Sequence, residues 1–107
     1  MGKTVVQINF RFGMSPEECT ETVTPLAEPI AAVEGLLWKV WLMDAEHSEA
    51  GGIYLFASPE SAQAYLTGPI ITGLGQNPKF SDISVKVSGI DSGLSAITRG
   101  PIERVTV

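Results

Sequence analysis

The sequence predicts a single α+β domain with the element order strand, helix, strand, strand, helix, strand. Three observations support this prediction. Four segments show the alternating or continuous apolar pattern of strands, two Ser-Pro-Glu motifs follow strand patterns and are typical of helix starts, and two strand-like arms flank an acidic loop in the middle of the chain. With 107 residues, the chain is long enough for one hydrophobic core.

The N-terminal part is predicted to be a strand followed by an interrupted helix. Residues 4–10 alternate between apolar and polar side chains and predict the first strand. Ser15 can cap a helix that begins at Pro16, and Glu18 completes a capping box. Pro25 lies inside the apolar stripe of this helix and removes a backbone hydrogen bond. We therefore expect the helix to kink or to break into two pieces near Pro25.

The central stretch, residues 36–56, is predicted to be a hairpin at the centre of the sheet. Its first arm, residues 36–43, has apolar residues on both faces, since successive strand side chains alternate. One face carries Leu36, Trp38, Val40 and Leu42, and the other carries Leu37, Lys39, Trp41 and Met43. The second arm, residues 53–56, follows a Gly51-Gly52 pair that suits a bulge or a close backbone approach.

The C-terminal half repeats the helix-then-strand pattern. Ser58, Pro59 and Glu60 open a second helix, which Gly68-Pro69 interrupts before a further short turn. Residues 80–90 predict the last strand, residues 92–96 a helical turn, and residues 100–107 an apolar extended tail. We expect residues 91–107 to form an extension that docks on the body or on a partner. With right-handed crossovers, the order predicts a ferredoxin-like antiparallel sheet with both helices on one face.

The sheet face opposite the helices predicts a homodimer. A buried tryptophan hides roughly 150–250 Å², which is worth about 4–6 kcal/mol. Because Trp38 and Trp41 lie on opposite faces, neither face can be left to water. The two helices cover only one face, so a second copy packed sheet to sheet is the simplest cover for the other.

Composition excludes several classes of function. The net charge of −5 and the lack of a basic cluster argue against nucleic-acid binding. No apolar run approaches the roughly 20 residues of a membrane helix. Cys19 is the only cysteine, which excludes an internal disulfide and a cysteine zinc cluster and favours the cytoplasm. No second histidine or cysteine has metal-ligand spacing, so no metal is expected.

Four segments resemble the YdhR family of monooxygenases. They are WKVW at residues 38–41, EAGGIYLF at 49–56, PLAEPI in the first helix and SAQAYL in the second, and the resemblance extends over about residues 4–97. It implies a dimeric α+β barrel of the superfamily that also contains the antibiotic-biosynthesis monooxygenases. In that branch a deprotonated aromatic substrate itself reduces oxygen, without metal or flavin, in a dry pocket with a base and hydrogen-bond donors.

The resemblance thus implies a cofactor-independent monooxygenase acting on a small aromatic or quinol-like substrate. Two other functions remain open: an isomerase or lyase on the same scaffold, and a non-catalytic dimer that binds a small ligand. Relatives in the antibiotic branch use an asparagine of the first strand together with a tryptophan and, variously, Tyr, His or Arg. Asn9 occupies a comparable place.

The candidate catalytic residues are Asn9, Trp41, His47 and Tyr54. Asn9 could hold a substrate oxygen or bond a neighbouring group. His47 is the only histidine, a residue type suited to acid–base chemistry near neutral pH, but its three acidic neighbours are typical of a solvated hairpin tip. Trp41 could line a cavity or simply belong to the core, and Tyr54 could act as a hydrogen-bond donor or an acid or simply pack in the core with its hydroxyl at the edge. Cys19, on the helix stripe, is interpreted as an inert buried thiol.

A second group of side chains is predicted to bind substrate, because a face that mixes aromatic and polar groups is typical of small-molecule pockets. The group contains Gln7, Arg11, Trp38, Lys39, Phe56, Tyr65 and Lys86. The competing interpretation is that its polar members reach water at the barrel rim or pair across strands.

Overall fold

The computed structural model describes residues 2–102 and contains one four-stranded antiparallel sheet. The strands are β1 (Thr4–Phe12), β2 (Leu36–Asp44), β3 (Glu49–Phe56) and β4 (Phe80–Gly89), in the spatial order β2-β3-β1-β4. The helices are α1 (Pro16–Val23), α2 (Ala27–Ala31), α3 (Pro59–Leu66), α4 (Pro69–Gly75) and α5 (Ser92–Ile97). This order and pairing confirm the predicted ferredoxin-like α+β fold.

The first helix begins and breaks where the sequence predicts. The Glu18 backbone N–H donates to the Ser15 hydroxyl oxygen, and the Ser15 N–H donates to the Glu18 carboxylate, both at 3.1 Å. This is the predicted capping box. The helix ends at Val23, and a 3-10 turn (Thr24–Leu26) that contains Pro25 separates α1 from α2. The predicted break is confirmed.

We expected the hairpin of β2 and β3 to form the centre of the sheet, but the structure places only one of its strands there. β3 and β1 are the two central strands, and β2 lies at one edge. The expectation was wrong because β1 pairs with the whole length of β3, from Thr4 opposite Phe56 to Arg11 opposite Glu49. The helices between β1 and β2 then carry the chain to the outer side of β3.

The two faces of the sheet differ in what covers them. The helix face carries Val6 and Ile8 of β1 and Tyr54 and Phe56 of β3, which pack with residues of α2 and α3. A second buried cluster on this face is formed by Phe10, Phe12, Cys19, Ala50 and Phe80. The other face, here called the open face, carries the alternate residues of each strand. The hydrophobic core therefore lies mainly between the helix face and the helices.

One residue of β2 lies on the face opposite to the predicted one. Leu36 pairs with Phe56 and packs against the core on the helix face, whereas Trp38 pairs with Leu55 on the open face. The register shifts between these two pairs, so Leu37 is an extra residue in β2 and changes the alternation. The prediction that Leu36 and Trp38 share a face is therefore wrong.

The C-terminal extension contacts the open face of its own sheet. The indole Nε1–H of Trp38 donates to the Pro101 carbonyl oxygen at 2.8 Å, and Ile102 is buried. Residues 103–107, which include the apolar Val105 and Val107, lie outside the described residues. Among residues 2–102, no helix is long and apolar enough to span a bilayer.

The Gly51-Gly52 pair lies inside β3, which begins at Glu49 and is longer than predicted. The pairing of β3 with both neighbours continues through the glycines without a bulge. A side chain at Gly51 would overlap the carbonyl oxygen of Ile8 and the Cα of Asn9. Of the two predicted roles for the pair, the structure therefore has the close backbone approach.

We expect Gly51→Ala to destabilise the protein by about 1–3 kcal/mol, because the added methyl group forces β1 and β3 apart. Gly73→Ala is the matched control, since its Cβ meets nothing within 4 Å in α4. In a helix this change stabilises by up to about 1 kcal/mol. Urea unfolding measures both changes, and equal stabilities of the two variants would contradict the close approach.

Candidate active site

A cavity of about 280 Å³ lies between the helix face of the sheet and helices α1 to α4. Its floor includes Ile8, Lys39, Trp41, Gly52 and Tyr54, and its walls include Cys19, Leu26, Ile30, Tyr65, Ile70 and Leu74. The lining is mostly aliphatic and aromatic, with few polar atoms. Such a combination is typical of small-molecule sites, and the volume suits a compact ligand.

Lys39 is the one lysine, arginine, aspartate or glutamate among the described residues that line the cavity. Its Nζ lies 3.2 Å from the ring centroid of Trp41 and 4.6 Å from that of Tyr54. Burial lowers the pKa of Lys39 to about 7, because the apolar surroundings disfavour the ammonium form. The ring faces attract the fraction that remains protonated. Near neutral pH, the amine thus has a neutral form that can accept a proton.

The position of Lys39 depends on Gly52, its neighbour on β3. Lys39 pairs with Tyr54, and Gly52 pairs with Trp41, so the lysine side chain lies diagonally across the place of a missing side chain. A Cβ at residue 52 would be 2.5 Å from the Cε of Lys39 and 3.4 Å from its Nζ. The glycine therefore provides the space in which the amine lies along the cavity floor.

Tyr54 and Tyr65 form a buried pair of hydroxyl groups. Their Oη atoms are 2.9 Å apart, and their rings are tilted with centroids 5.1 Å apart. Burial raises the pKa of both tyrosines, and the mutual electrostatic effect of Tyr65 adds to the increase at Tyr54. Both hydroxyls therefore stay protonated. One hydroxyl hydrogen forms the hydrogen bond within the pair, so the other hydroxyl is free to donate a hydrogen bond to a ligand.

Cys19 contributes a buried thiol to the cavity wall. Burial raises the pKa of this thiol, which keeps it in the protonated, weakly nucleophilic form. Its place on the helix stripe and in the second buried cluster agrees with the interpretation of an inert core cysteine.

Four of the predicted site residues meet in the cavity: Lys39, Trp41, Tyr54 and Tyr65. Phe56 lies behind them, with its ring centroid 5.9 Å from that of Tyr54 and 5.6 Å from that of Tyr65. It is fully buried and supports the tyrosine pair from below. These five residues form one continuous group on the helix face.

Five other predicted residues lie on the open face: Gln7, Asn9, Arg11, Trp38 and Lys86. The Gln7 side-chain amide donates to the Asn9 side-chain oxygen at 3.0 Å, and Arg11 lies 3.7 Å from the Glu49 carboxylate. Lys86 pairs with Gln7 across β1 and β4. The structure therefore separates the predicted group into two sets, because residues of opposite parity on a strand point to opposite faces.

His47 lies at the exposed tip of the β2–β3 hairpin and is not among the residues that line the cavity. Its Nδ1 is 2.9 Å from a carboxylate oxygen of Asp44, and this hydrogen bond lowers the pKa of Asp44. Within residues 2–102, no group of three or more His, Cys, Asp and Glu side chains is placed to hold a metal ion.

Sequence reasoning missed most of the aliphatic wall. Ile70, Ile71 and Leu74 of α4 line the cavity, although the sequence suggested only a further short turn in this region. The signal was present, since an Ile-Ile pair and a leucine three residues later form one helical stripe. The Gly51-Gly52 pair was also visible in the sequence, but only the register of β2 and β3 shows that Lys39 lies against Gly52.

The fold and the cavity together define a small-ligand site in a ferredoxin-like α+β protein. The sequence matches the family described as "Putative mono-oxygenase ydhR" over residues 5–101. The chain therefore belongs to this family. A search of curated protein sequences found no match.

Solved structures from several bacteria share the fold. A protein of unknown function from Nitrosomonas europaea has a TM-score of 0.73 at 17% identity, covering 85% of this chain and 91% of that one. SnoaB of Streptomyces nogalater, described as a cofactor-independent oxygenase, has a TM-score of 0.69 at 12% identity, with 85% and 95% covered. MhuD of Mycobacterium tuberculosis, a heme-degrader, has a TM-score of 0.63 at 20% identity, with 81% and 95% covered.

We expect the stability difference between Lys39→Met and the unchanged protein to depend on pH. The pKa of Lys39 is about 7 in the folded protein and about 10.4 in an unfolded chain. Between these values the unfolded state binds more protons, so the stability of the unchanged protein rises with pH. Below pH 7 Lys39 is protonated in both the folded and the unfolded state, so the whole cost of placing its ammonium group in the cavity is present. Lys39→Met should therefore be most stabilising, relative to the unchanged protein, at acid pH.

Urea unfolding between pH 6 and 10.5 measures this difference, with Lys86→Met as the control for an exposed lysine. The Lys39→Met advantage should shrink across the window while the Lys86→Met difference stays nearly constant. A pH-independent Lys39→Met difference would contradict the lowered pKa.

Proposed function

We propose that this chain is a cytoplasmic, cofactor-independent monooxygenase that oxidises a small aromatic or quinol-like compound in the cavity on the helix face. The observation that carries the proposal is the Lys39 amine, which lies over the rings of Trp41 and Tyr54 in an apolar cavity that the Tyr54–Tyr65 hydroxyl pair also lines. This arrangement provides a base, a hydrogen-bond donor and apolar surroundings. These are the groups that such a reaction requires of a protein.

The first step would be removal of a substrate proton by the neutral form of Lys39. A base with a pKa near the working pH combines the correct protonation state with a useful driving force. The resulting ammonium group lies next to the substrate anion and stabilises it more strongly than it would in water. The free proton of the Tyr54–Tyr65 pair can donate to the oxygen that carries the negative charge.

The second step would be reaction of the substrate anion with molecular oxygen. The electron-rich carbon forms a bond to O₂ and gives a peroxide, which takes up a proton from the Lys39 ammonium group. Loss of water then leaves one oxygen atom in the product as a carbonyl group. The substrate supplies the two electrons and the two hydrogen atoms that convert the second oxygen atom to water. The overall reaction is therefore substrate plus O₂ to quinone-type product plus water. The aliphatic walls would limit the access of solvent during these steps.

Membership of the mono-oxygenase family supports the reaction class. The fold that the chain shares with SnoaB, described as a cofactor-independent oxygenase, agrees with chemistry that needs no bound cofactor. The chemical identity of the lining supports the substrate class. The rings of Trp41 and Tyr54 suit a flat aromatic compound, and the single amine suits a single ionisable oxygen.

Oxygen uptake by the metal-stripped protein, with dihydroxy-aromatics and anthrone-type compounds, tests this proposal. Lys39→Met should reduce uptake by about 100-fold or more, which is the usual loss when a general base is removed. In the unchanged protein, kcat/KM should rise with pH with a midpoint near 7, since only the neutral form of Lys39 accepts a proton.

Asn9→Ala is the matched control, because Asn9 lies on the open face. It should leave uptake nearly unchanged, and a large loss would contradict the location of the site. No uptake by any variant, with ligands still bound as measured by tryptophan quenching, would favour an isomerase, a lyase or a non-catalytic binder.

We also propose that the protein is a homodimer that pairs through the open face. Val40 is 52% exposed there, and Ile53, its partner across the strands, is half-buried. The C-terminal extension reaches the open face at Trp38. Pairing of two copies over the remaining surface would bury these aliphatic side chains, together with the polar pair of Gln7 and Asn9.

Val40→Lys should dissociate the dimer, because each copy then places a charge in the interface. Val87→Lys is the matched control: it changes the same residue type at a similar exposure of 50%, but on the helix face of β4. Sedimentation equilibrium at micromolar concentration measures both. A monomeric unchanged protein, or dissociation by Val87→Lys alone, would contradict the proposed interface.

A further inference from the structure

We propose that Lys39 also acts as a nucleophile and forms an imine with an uncharged, apolar aldehyde or ketone bound in the cavity on the helix face. The proposal concerns covalent chemistry of the amine itself and not only its role as a base. It rests on the place of the amine in the cavity, on the identity of its neighbours and on the Tyr54–Tyr65 hydroxyl pair that lines the cavity.

The nucleophilic atom of Lys39 is available to a ligand. No carboxylate belongs to the cavity lining within the described residues, so no ion pair holds the amine in its protonated form there. Nζ lies over the rings of Trp41 and Tyr54, and the face of an aromatic ring attracts N–H groups without occupying the nitrogen lone pair. Desolvation of a lysine in an apolar pocket is a recognised way to activate it for reaction with carbonyl compounds.

The lining selects an uncharged carbonyl compound. Among the described residues that form the cavity there is no arginine and no second lysine that could hold a carboxylate or a phosphate. Ile30, Ile70 and Leu74 offer apolar contact instead. A ligand charge placed against these walls would be costly. The preferred ligand is therefore an aromatic or aliphatic carbonyl compound with no ionised group.

The atoms of the reaction balance without any further reagent. The lone pair of Nζ attacks the carbonyl carbon, a C–N bond forms, and the C=O π bond opens. Transfer of one amine proton to the oxygen gives a neutral carbinolamine. The hydroxyl group then leaves as water with the second amine proton, and a C=N bond forms. The Tyr54–Tyr65 pair, which stays protonated, can donate a hydrogen bond to the carbonyl oxygen during attack.

Imine formation does not depend on the proposed oxygenation, because it consumes no oxygen. It uses the same amine, so an imine-forming ligand and a substrate of the oxygenase would compete for the cavity. A test of imine formation under nitrogen separates the two proposals, because the oxygenation cannot occur without oxygen. Lack of oxygen uptake would leave the imine proposal intact, and lack of an imine would leave the base role intact.

The test is reductive trapping of the purified full chain under nitrogen at pH 7.5, with 1-naphthaldehyde as the probe and sodium cyanoborohydride as the hydride donor. Reduction converts the imine to a stable secondary amine, which peptide mass spectrometry locates. Lys39 should be modified at least about tenfold faster than each of Lys3, Lys79 and Lys86, which are not among the described residues that line the cavity. In urea-unfolded protein this preference should vanish.

Glyoxylate serves as the charged comparison probe and should show no preference for Lys39. Lys39→Arg should abolish the fast modification, whereas Lys86→Arg should retain it, and circular dichroism checks that both variants fold. Equal modification of all four lysines in the folded protein would overturn the proposal. Fast modification of Lys39 by glyoxylate would overturn the assignment of an uncharged ligand.

Discussion

The lysine amine in the apolar cavity is the constraint on which the site depends. An ammonium group there loses part of its hydration and has no carboxylate among the described lining residues to replace it. The protein partly offsets this cost through the ring faces of Trp41 and Tyr54 and partly avoids it by keeping the amine neutral for part of the time. Because surface lysines avoid this cost altogether, a lysine in this position indicates a role that needs an amine.

The antiparallel sheet makes this constraint possible because its two faces serve different purposes. The helix face holds the core and the cavity, whereas the open face holds polar pairs and the C-terminal extension. Each strand contributes to both faces through alternation of its side chains. β2 shows this most clearly, with Trp41 in the cavity lining and Trp38 bonded to Pro101 on the other side. One strand therefore supports both the candidate chemistry and the proposed interface.

Local signals in the sequence predicted most of the fold. The capping box at Ser15 and the break at Pro25 depend on residues within one or two helical turns, so they could be recognised without tertiary information. The same is true of the strand pattern in β1. The position of Leu36 was missed because an extra residue in β2 changes the alternation, and only the pairing with β3 reveals it. The central place given to β2 was wrong for a similar reason, since strand order is a long-range property.

The candidate site was predictable only in part. The sequence identified Lys39, Trp41, Tyr54 and Tyr65 as members of a mixed aromatic and polar group, and the structure brings them together. It could not exclude Asn9 and Arg11 from that group. Alternation shows which residues of one strand share a face, but it does not show which face of one strand matches which face of the next. That match requires the register.

The diagonal course of Lys39 over Gly52 has a consequence for the shape of the cavity. Most of the floor consists of rigid rings and of side chains fixed by the pleat, but this part consists of the four methylene groups of a lysine. The lysine side chain has several rotatable bonds, so its methylene groups can change rotamer while the amine stays beside Trp41. The floor at this point is therefore adjustable, and the cavity can accept ligands of different outline without moving the backbone.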